Sequence, residues 1–395
     1  MTYGGIIAAA LLVLLSGAQA EEIEASVREP YQLVRALQAL QDEIARGNLE
    51  AHNAQASLLK RLGEKFQEAD PGLWKDPRNS RAAVTFLLSG GAPQVVVALR
   101  SRKLLNIDEA IVDGAIAYVE GRPDEARARL GGVDARALPA ALGAEIALVQ
   151  SALLAQSDSK ATIERLDEVR LLMPGTLVEE AALRREIFLV GQVDDFDKFE
   201  ALAVQYFRRY RHSIYAGNFR QRFALSVARF SFAQQADRFP RLVAVLDHLD
   251  RASQRALYLL IARTALVRGK IDMTDLAADR VVALTEEGSP DQTRARLYRA
   301  AARVVTGSHE QALLDLQQID GSRLPEQDAE LLAAALVLGR NVRKALPAAP
   351  AQRDDVGRGQ TAVRPRIDFS ASLAAVDRAQ KLLDESEERL KEKDR

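Results

Sequence analysis

Chain-breaking residues return along this sequence at near-regular intervals, separated by stretches whose apolar residues follow the helical period. Gly90 to Gly121 spans 31 residues, Gly121 to the polar turn Ser157-Asp158 spans 36, and Ser157 to Gly191 spans 34. Gly191 to Gly269 spans 78, with Gln234-Gln235 near its middle, and Gly269 to Gly307 spans 38. A helix–turn–helix unit recurring in this way is the signature of an α-solenoid of tetratricopeptide type. An irregular all-helical domain is the alternative left open by the same text. The expected fold class is therefore all-α: a solenoid of tetratricopeptide-like helix–turn–helix repeats, followed by a disordered linker and a C-terminal helix.

Local signals support the helices one by one. Leu33, Leu37, Leu40 and Ile44 recur at three- and four-residue spacing before Gly47-Asn48 closes the stretch. A second helix over about residues 49–68 carries Leu58, Leu59, Leu62 and Phe66 and ends at Asp70-Pro71-Gly72. Asp76-Pro77 then opens a helix that stops at Gly90-Gly91. Gly121-Arg122-Pro123-Asp124-Glu125-Ala126 and Gly307 to Leu313 both read as turns opening the second helix of a pair. Glycine there permits a left-handed backbone, and the small alanine lets paired helices approach. Leu171-Leu172-Met173-Pro174 reads as a helix end closed by proline.

The ends differ from this body. Ile6 to Leu15 is an unbroken apolar run, followed by Ser16-Gly17 and the small-x-small pattern Ala18-Gln19-Ala20. These features predict a secretory signal peptide over residues 1–20, cleaved after Ala20, although residues 2–5 lack the usual Lys or Arg. Residues 21–89 then form an N-terminal helical region and 90–339 the repeats. Residues 340–368 form a flexible linker rich in basic residues and proline, and residues 369–395 a charged helix. No later segment reads as a membrane span. The expected location is the periplasm.

Composition narrows the chemistry. The 395 residues include 54 Lys and Arg against 55 Asp and Glu, a net charge of −1, so no global field draws the chain to nucleic acid. There is no cysteine, which excludes disulfides, Cys-ligated zinc and a thiol nucleophile. The four histidines, His52, His212, His248 and His309, are scattered, and no metal or cofactor is expected. Walker A, G-x-G-x-x-G and G-x-S-x-G motifs are missing, and His309-Glu310 lacks the second histidine of a zinc protease. Carboxylate pairs drawn from distant positions are not visible in sequence. The expectation is a protein that is not an enzyme.

One segment stands apart. Tyr206 to Phe223 holds five arginines, no acid and six of the chain's aromatic residues. Arginine and tyrosine are enriched at binding hot spots, which makes Tyr206, Arg208, Arg209, Arg211, Tyr215, Arg220 and Arg222 the candidate partner-binding set. The same spacing also fits Phe207, Tyr210, Phe219 and Phe223 packing between helices while the arginines reach solvent. An acidic protein surface or the anionic cell wall is the kind of partner these side chains would suit.

Glu29 to Ala45 with Gly47-Asn48 and Ala51-His52, Asp76 to Val84, Phe86 to Gly91, and Pro174 to Glu186 together resemble the MotC family. These are periplasmic motility proteins of rhizobia and related alphaproteobacteria. The resemblance runs over about residues 29–340. It implies an exported protein required for rotation of the flagellar motor. Such a protein would bind the periplasmic domain of stator subunit MotB and modulate torque generation or energy flux, with peptidoglycan as a second candidate partner. It carries over no functional residue. A periplasmic tetratricopeptide adaptor in cell-wall assembly or division has the same general features, and a helical wall hydrolase would need a catalytic glutamate in a cleft.

Overall fold

A computed structural model describes residues 29–230 and 237–345, and among these residues it contains α-helices, short 3-10 turns and no strand. The α-helices are α1 (Pro30–Ala45), α2 (Leu49–Glu68), α3 (Pro77–Leu88), α4 (Pro93–Ser101), α5 (Glu109–Val119) and α6 (Pro123–Leu130). They continue as α7 (Ala140–Leu154), α8 (Ser159–Leu172), α9 (Leu177–Gln192), α10 (Phe196–Arg209), α11 (Ala216–Val227) and α12 (Arg238–Leu246). The last are α13 (Arg251–Val267), α14 (Ile271–Leu284), α15 (Pro290–Arg303), α16 (His309–Gln317) and α17 (Glu326–Ala345). The all-α class is thus established. The signal peptide, Gln234-Gln235 and the C-terminal helix lie outside the described residues, as does the linker beyond Ala345.

The helices start where short acceptors can satisfy free backbone donors. The side chains of Asp76, Asp108, Asp158, Asp195 and Asp250 each accept from the first turn of the helix that follows. Gly121 (φ +74°) and Gly269 (φ +65°) turn the chain between α5 and α6 and between α13 and α14, as their spacing predicts. Buried Ala126 and Ala312 follow the turns at Gly121 and Gly307. Gly191 behaves differently: it is the penultimate residue of α9, and the turn follows at Asp194 (φ +56°). A methyl group on Gly191 would sit 2.5 Å from Ser226 Cβ, so this glycine serves close packing of α9 against α11.

The described helices form two compact units that divide after Ala302. In the first, consecutive helices pair (α1 with α2, α5 with α6, α7 with α8, α9 with α10, α13 with α14). One core runs from Val34 to Leu153 without a break near residue 90. At its centre, fully buried Phe66 meets Trp74 and Phe86 with ring centroids 5.4 and 4.9 Å apart. Truncating one of these rings costs about 3–5 kcal/mol by the usual core-deletion scale.

Helix α9 packs on α1, α7, α8, α10 and α11. The α1–α2 turn also meets the α10–α11 turn, with the His52 ring edge-on to Tyr215 at 5.9 Å. The early helices therefore return to the middle of the unit, whereas units of a plain solenoid touch only their neighbours. In the second unit α16 packs against α17, where Gly339 lies beside Leu313. Helix α17 continues through Ala345, past the residue 340 at which the sequence places the linker.

Candidate functional site

Helix α9 concentrates the ionisable chemistry of the chain. Thr176 caps it by accepting from the Glu179 backbone, and Glu179 and Glu180 in its first turn suit the positive end of the helix dipole. Helical spacing then places Glu179, Leu183, Glu186 and Val190 on one stripe, and all four are buried. Two carboxylates thus occupy positions that pattern alone would assign to apolar residues. Glu180 is buried as well.

Each buried acid is held by donors from neighbouring helices, as burial of a charge requires. Glu179 accepts from the Gly175 backbone, Gln205 Nε2 and the Tyr210 hydroxyl, and Arg209 Nη1 lies 3.0 Å from both its oxygens. Glu180 Oε1 accepts from the Tyr206 hydroxyl at 2.8 Å. Glu186 lies 3.1 Å from both Arg170 Nη1 and Lys198 Nζ, and these two cations also reach Asp167. Arg170 Nη2 donates to Gln205 Oε1 at 2.6 Å, which joins the Glu186 and Glu179 groups into one network across α8, α9 and α10. Burial pushes the Glu186 carboxyl up to about 7 against the pull of Arg170. It raises Glu180 as well, and burial beside Glu180 raises the Tyr206 phenol.

Burial withdraws these acids from any substrate. Their chemistry is cohesive: ion pairs and charge-assisted hydrogen bonds fasten three helices in one register. Among the described residues, no group of three or more His, Asp or Glu side chains is placed to hold a metal ion, and no helix is long and apolar enough to cross a membrane.

The arginine–aromatic segment divides between core and surface. Tyr206 is 1% exposed and stacks on Phe219 with centroids 3.5 Å apart, so it is no contact residue. Its ring fills the space between α10 and α11, and its hydroxyl is spent on Glu180. Phe207, Tyr210 and Phe223 are buried beside it. Arg208 and Arg211 are exposed. Arg209 is half exposed, but its guanidinium is committed to Glu179. Tyr215 is half-buried beneath Arg184, whose guanidinium carbon lies 4.5 Å from the ring centroid. Arg220 and Arg222 are half-buried on α11, and Arg222 Nε donates to Asn218 Oδ1 at 3.0 Å. The structure thus keeps the arginines of this set near the surface, separates them from the aromatic core, and adds Arg184, Arg185 and Arg229, which the sequence reading does not select.

An all-α chain whose described buried acids are tied to basic and hydroxyl side chains of neighbouring helices is the class of protein this fold and site define. Its kinship is specific. The chain belongs to the family described as Chemotaxis protein MotC, whose description matches residues 2–395. It is 32% identical over 327 residues to Chemotaxis protein MotC of Rhizobium meliloti (strain 1021), covering 82% of this chain and 74% of that relative. No solved structure matches. Membership places the chain among chemotaxis and motility proteins.

Proposed function

We propose that the chain is a periplasmic protein required for rotation of the flagellar motor. It acts by binding the periplasmic part of stator subunit MotB and modulating torque generation or energy flux. The observation that carries this reading is the family match along residues 2–395. The apolar run and small-x-small pattern of the first twenty residues support export. A scaffold of this kind influences a stator by binding one of its arrangements more tightly than another. Each tenfold bias towards the ion-conducting arrangement needs about 1.4 kcal/mol of differential affinity.

Arg208 and Arg211 are the first contact candidates, because both are exposed and neither has an ion-pair partner among the described residues. Arg209 is a poorer probe, since reversing its charge would strike the buried Glu179. The test is a deletion strain complemented with the natural gene or with an Arg208→Glu/Arg211→Glu variant. The deletion is expected to leave flagellated, normally shaped cells that do not swim. The variant is expected to restore swimming poorly while the protein keeps its helicity and melting temperature. Misshapen cells with normally rotating flagella would instead favour a cell-wall adaptor.

A further inference from the structure

One side of the α9–α11 pair carries four arginines around two aromatic rings. Arg184 covers Tyr215 at 4.5 Å, and Arg222 and Arg229 lie 6.0 and 5.2 Å from the Phe188 centroid. Arg185 follows Arg184 on α9, and its Nη1 approaches the Leu148 carbonyl oxygen at 3.5 Å. Phe188, Tyr215, Arg184, Arg185 and Arg222 are half-buried, and Arg229 is exposed.

The charges on this strip are poorly balanced from within. Glu145 lies near Arg185 but is buried beneath the surface, where its carboxylate accepts from Ser89 Oγ at 3.3 Å. Glu180 is 3.7 Å from Arg184 and already accepts from Tyr206. Among the described residues, neither Arg222 nor Arg229 has a carboxylate within ion-pair distance, and the segment 231–236 that follows Arg229 contains no acid. Burial and the neighbouring Arg184 and Arg185 charges together hold the Arg222 guanidinium below its usual range. Elsewhere in this charge-balanced chain, Arg170, Arg238, Arg241, Arg255 and Arg299 each pair closely with an acid. Repelling, half-desolvated guanidiniums are a cost to the free fold that an incoming anion would relieve.

The geometry selects the kind of anion. Arg222 lies on α11 and Arg229 two residues past its end, yet both guanidiniums approach the one Phe188 ring, so with Arg184 and Arg185 they suit several neighbouring carboxylates rather than a single ion. We propose that α9, α11 and the turn after α11 form a docking strip for an acidic peptide segment of a partner protein, gripped by Arg184, Arg185, Arg222 and Arg229 around Phe188. The proposal rests on reading the chain as a binding scaffold, but not on the identity of the motor partner.

The test is fluorescence anisotropy of a labelled peptide of Glu-Glu-Leu-Ala repeats titrated with the full chain. Saturable micromolar binding is expected, weakening as salt rises from about 0.05 to about 0.3 M. Arg222→Glu/Arg229→Glu should weaken it at least about tenfold, whereas Arg208→Glu/Arg211→Glu, with the same change of net charge, should alter it less than about twofold. If the first variant melts early, Arg229→Glu alone, at an exposed position, should still weaken binding about threefold. No binding by folded protein, equal losses from both double variants, or unchanged affinity in Arg229→Glu would overturn the proposal. So would displacement of the peptide by hyaluronate as efficient as by unlabelled peptide, which would mark a polyanion site. Because the probe is synthetic, failure to bind the stator leaves this result standing, and stator binding without peptide binding would refute the docking strip alone.

Discussion

Replacing Glu179 by alanine would show how far the buried network holds the scaffold together. The wild-type carboxylate is fully buried and serves four donors: the Gly175 backbone, Gln205, Arg209 and Tyr210. Gly175 and the half-exposed Arg209 can turn to water, and the Tyr210 hydroxyl retains the Thr176 carbonyl oxygen at 3.1 Å. What is lost is the charge-assisted component of the Tyr210 and Gln205 bonds, the return bond to the α9 N-terminus and one packed methylene. Hydrogen bonds to charged groups contribute about 1.5–3 kcal/mol and breaking a buried pair about 3–5, so Glu179→Ala should destabilise by about 3–5 kcal/mol. Glu179→Gln keeps the volume but turns an amide donor towards donors, for about 2 kcal/mol. Arg209→Ala removes the half-exposed partner and should cost only about 1 kcal/mol. Urea unfolding of the full chain, followed by far-UV circular dichroism, measures all three. A Glu179→Ala cost below about 1 kcal/mol, or an Arg209→Ala cost as large as that of Glu179→Ala, would refute this account of the network.

Gly47 (φ +99°) lies where an added methyl group would overlap the His212 carbonyl oxygen, so Gly47→Ala should cost about 3 kcal/mol or more in thermal unfolding. Gly121→Ala, also at positive φ (+74°) but in open space, should cost about 1 kcal/mol, and equal effects would discount the contact between turns. Burial pushes Glu145 up to about 7 from an ordinary value of 4.5, so the folded state holds a proton there that the unfolded chain has released. This contribution to stability is fully present below the unfolded pKa of 4.5 and is lost as pH rises towards about 7. Glu145→Gln should therefore raise stability at about pH 8 by roughly 3 kcal/mol at most, read as a higher melting temperature, and leave it nearly unchanged at about pH 4. A gain of the same size at both pH values would contradict the assignment.

Helix limits were legible where local chemistry decides them. The Asp76-Pro77 start of α3, the Gly47-Asn48 end of α1 and the Gly121 and Gly269 turns follow from capping and backbone freedom within a few residues. Gly191 misled because glycine signals both a turn and a close helix approach, and only the position of Ser226 on α11 separates the two. Likewise, Tyr206 and Arg208 sit two residues apart in an apparently uniform segment, yet helical rotation buries one and exposes the other. The acids at 179 and 186 did carry a signal, since they share a stripe with Leu183 and Val190. Their cations come from Arg170, Lys198 and Arg209 on other helices, a juxtaposition set by packing rather than by any local spacing. The basic strip was hidden for the same reason, because α9 supplies half of it and α11 with the residues after it the rest.

Titrating residues 21–395, the chain without its first twenty residues, against the purified periplasmic domain of MotB tests the central claim most directly. The account predicts saturable binding at micromolar or tighter affinity that weakens in the Arg208→Glu/Arg211→Glu variant. Absence of binding, with both proteins shown to be folded, would contradict it.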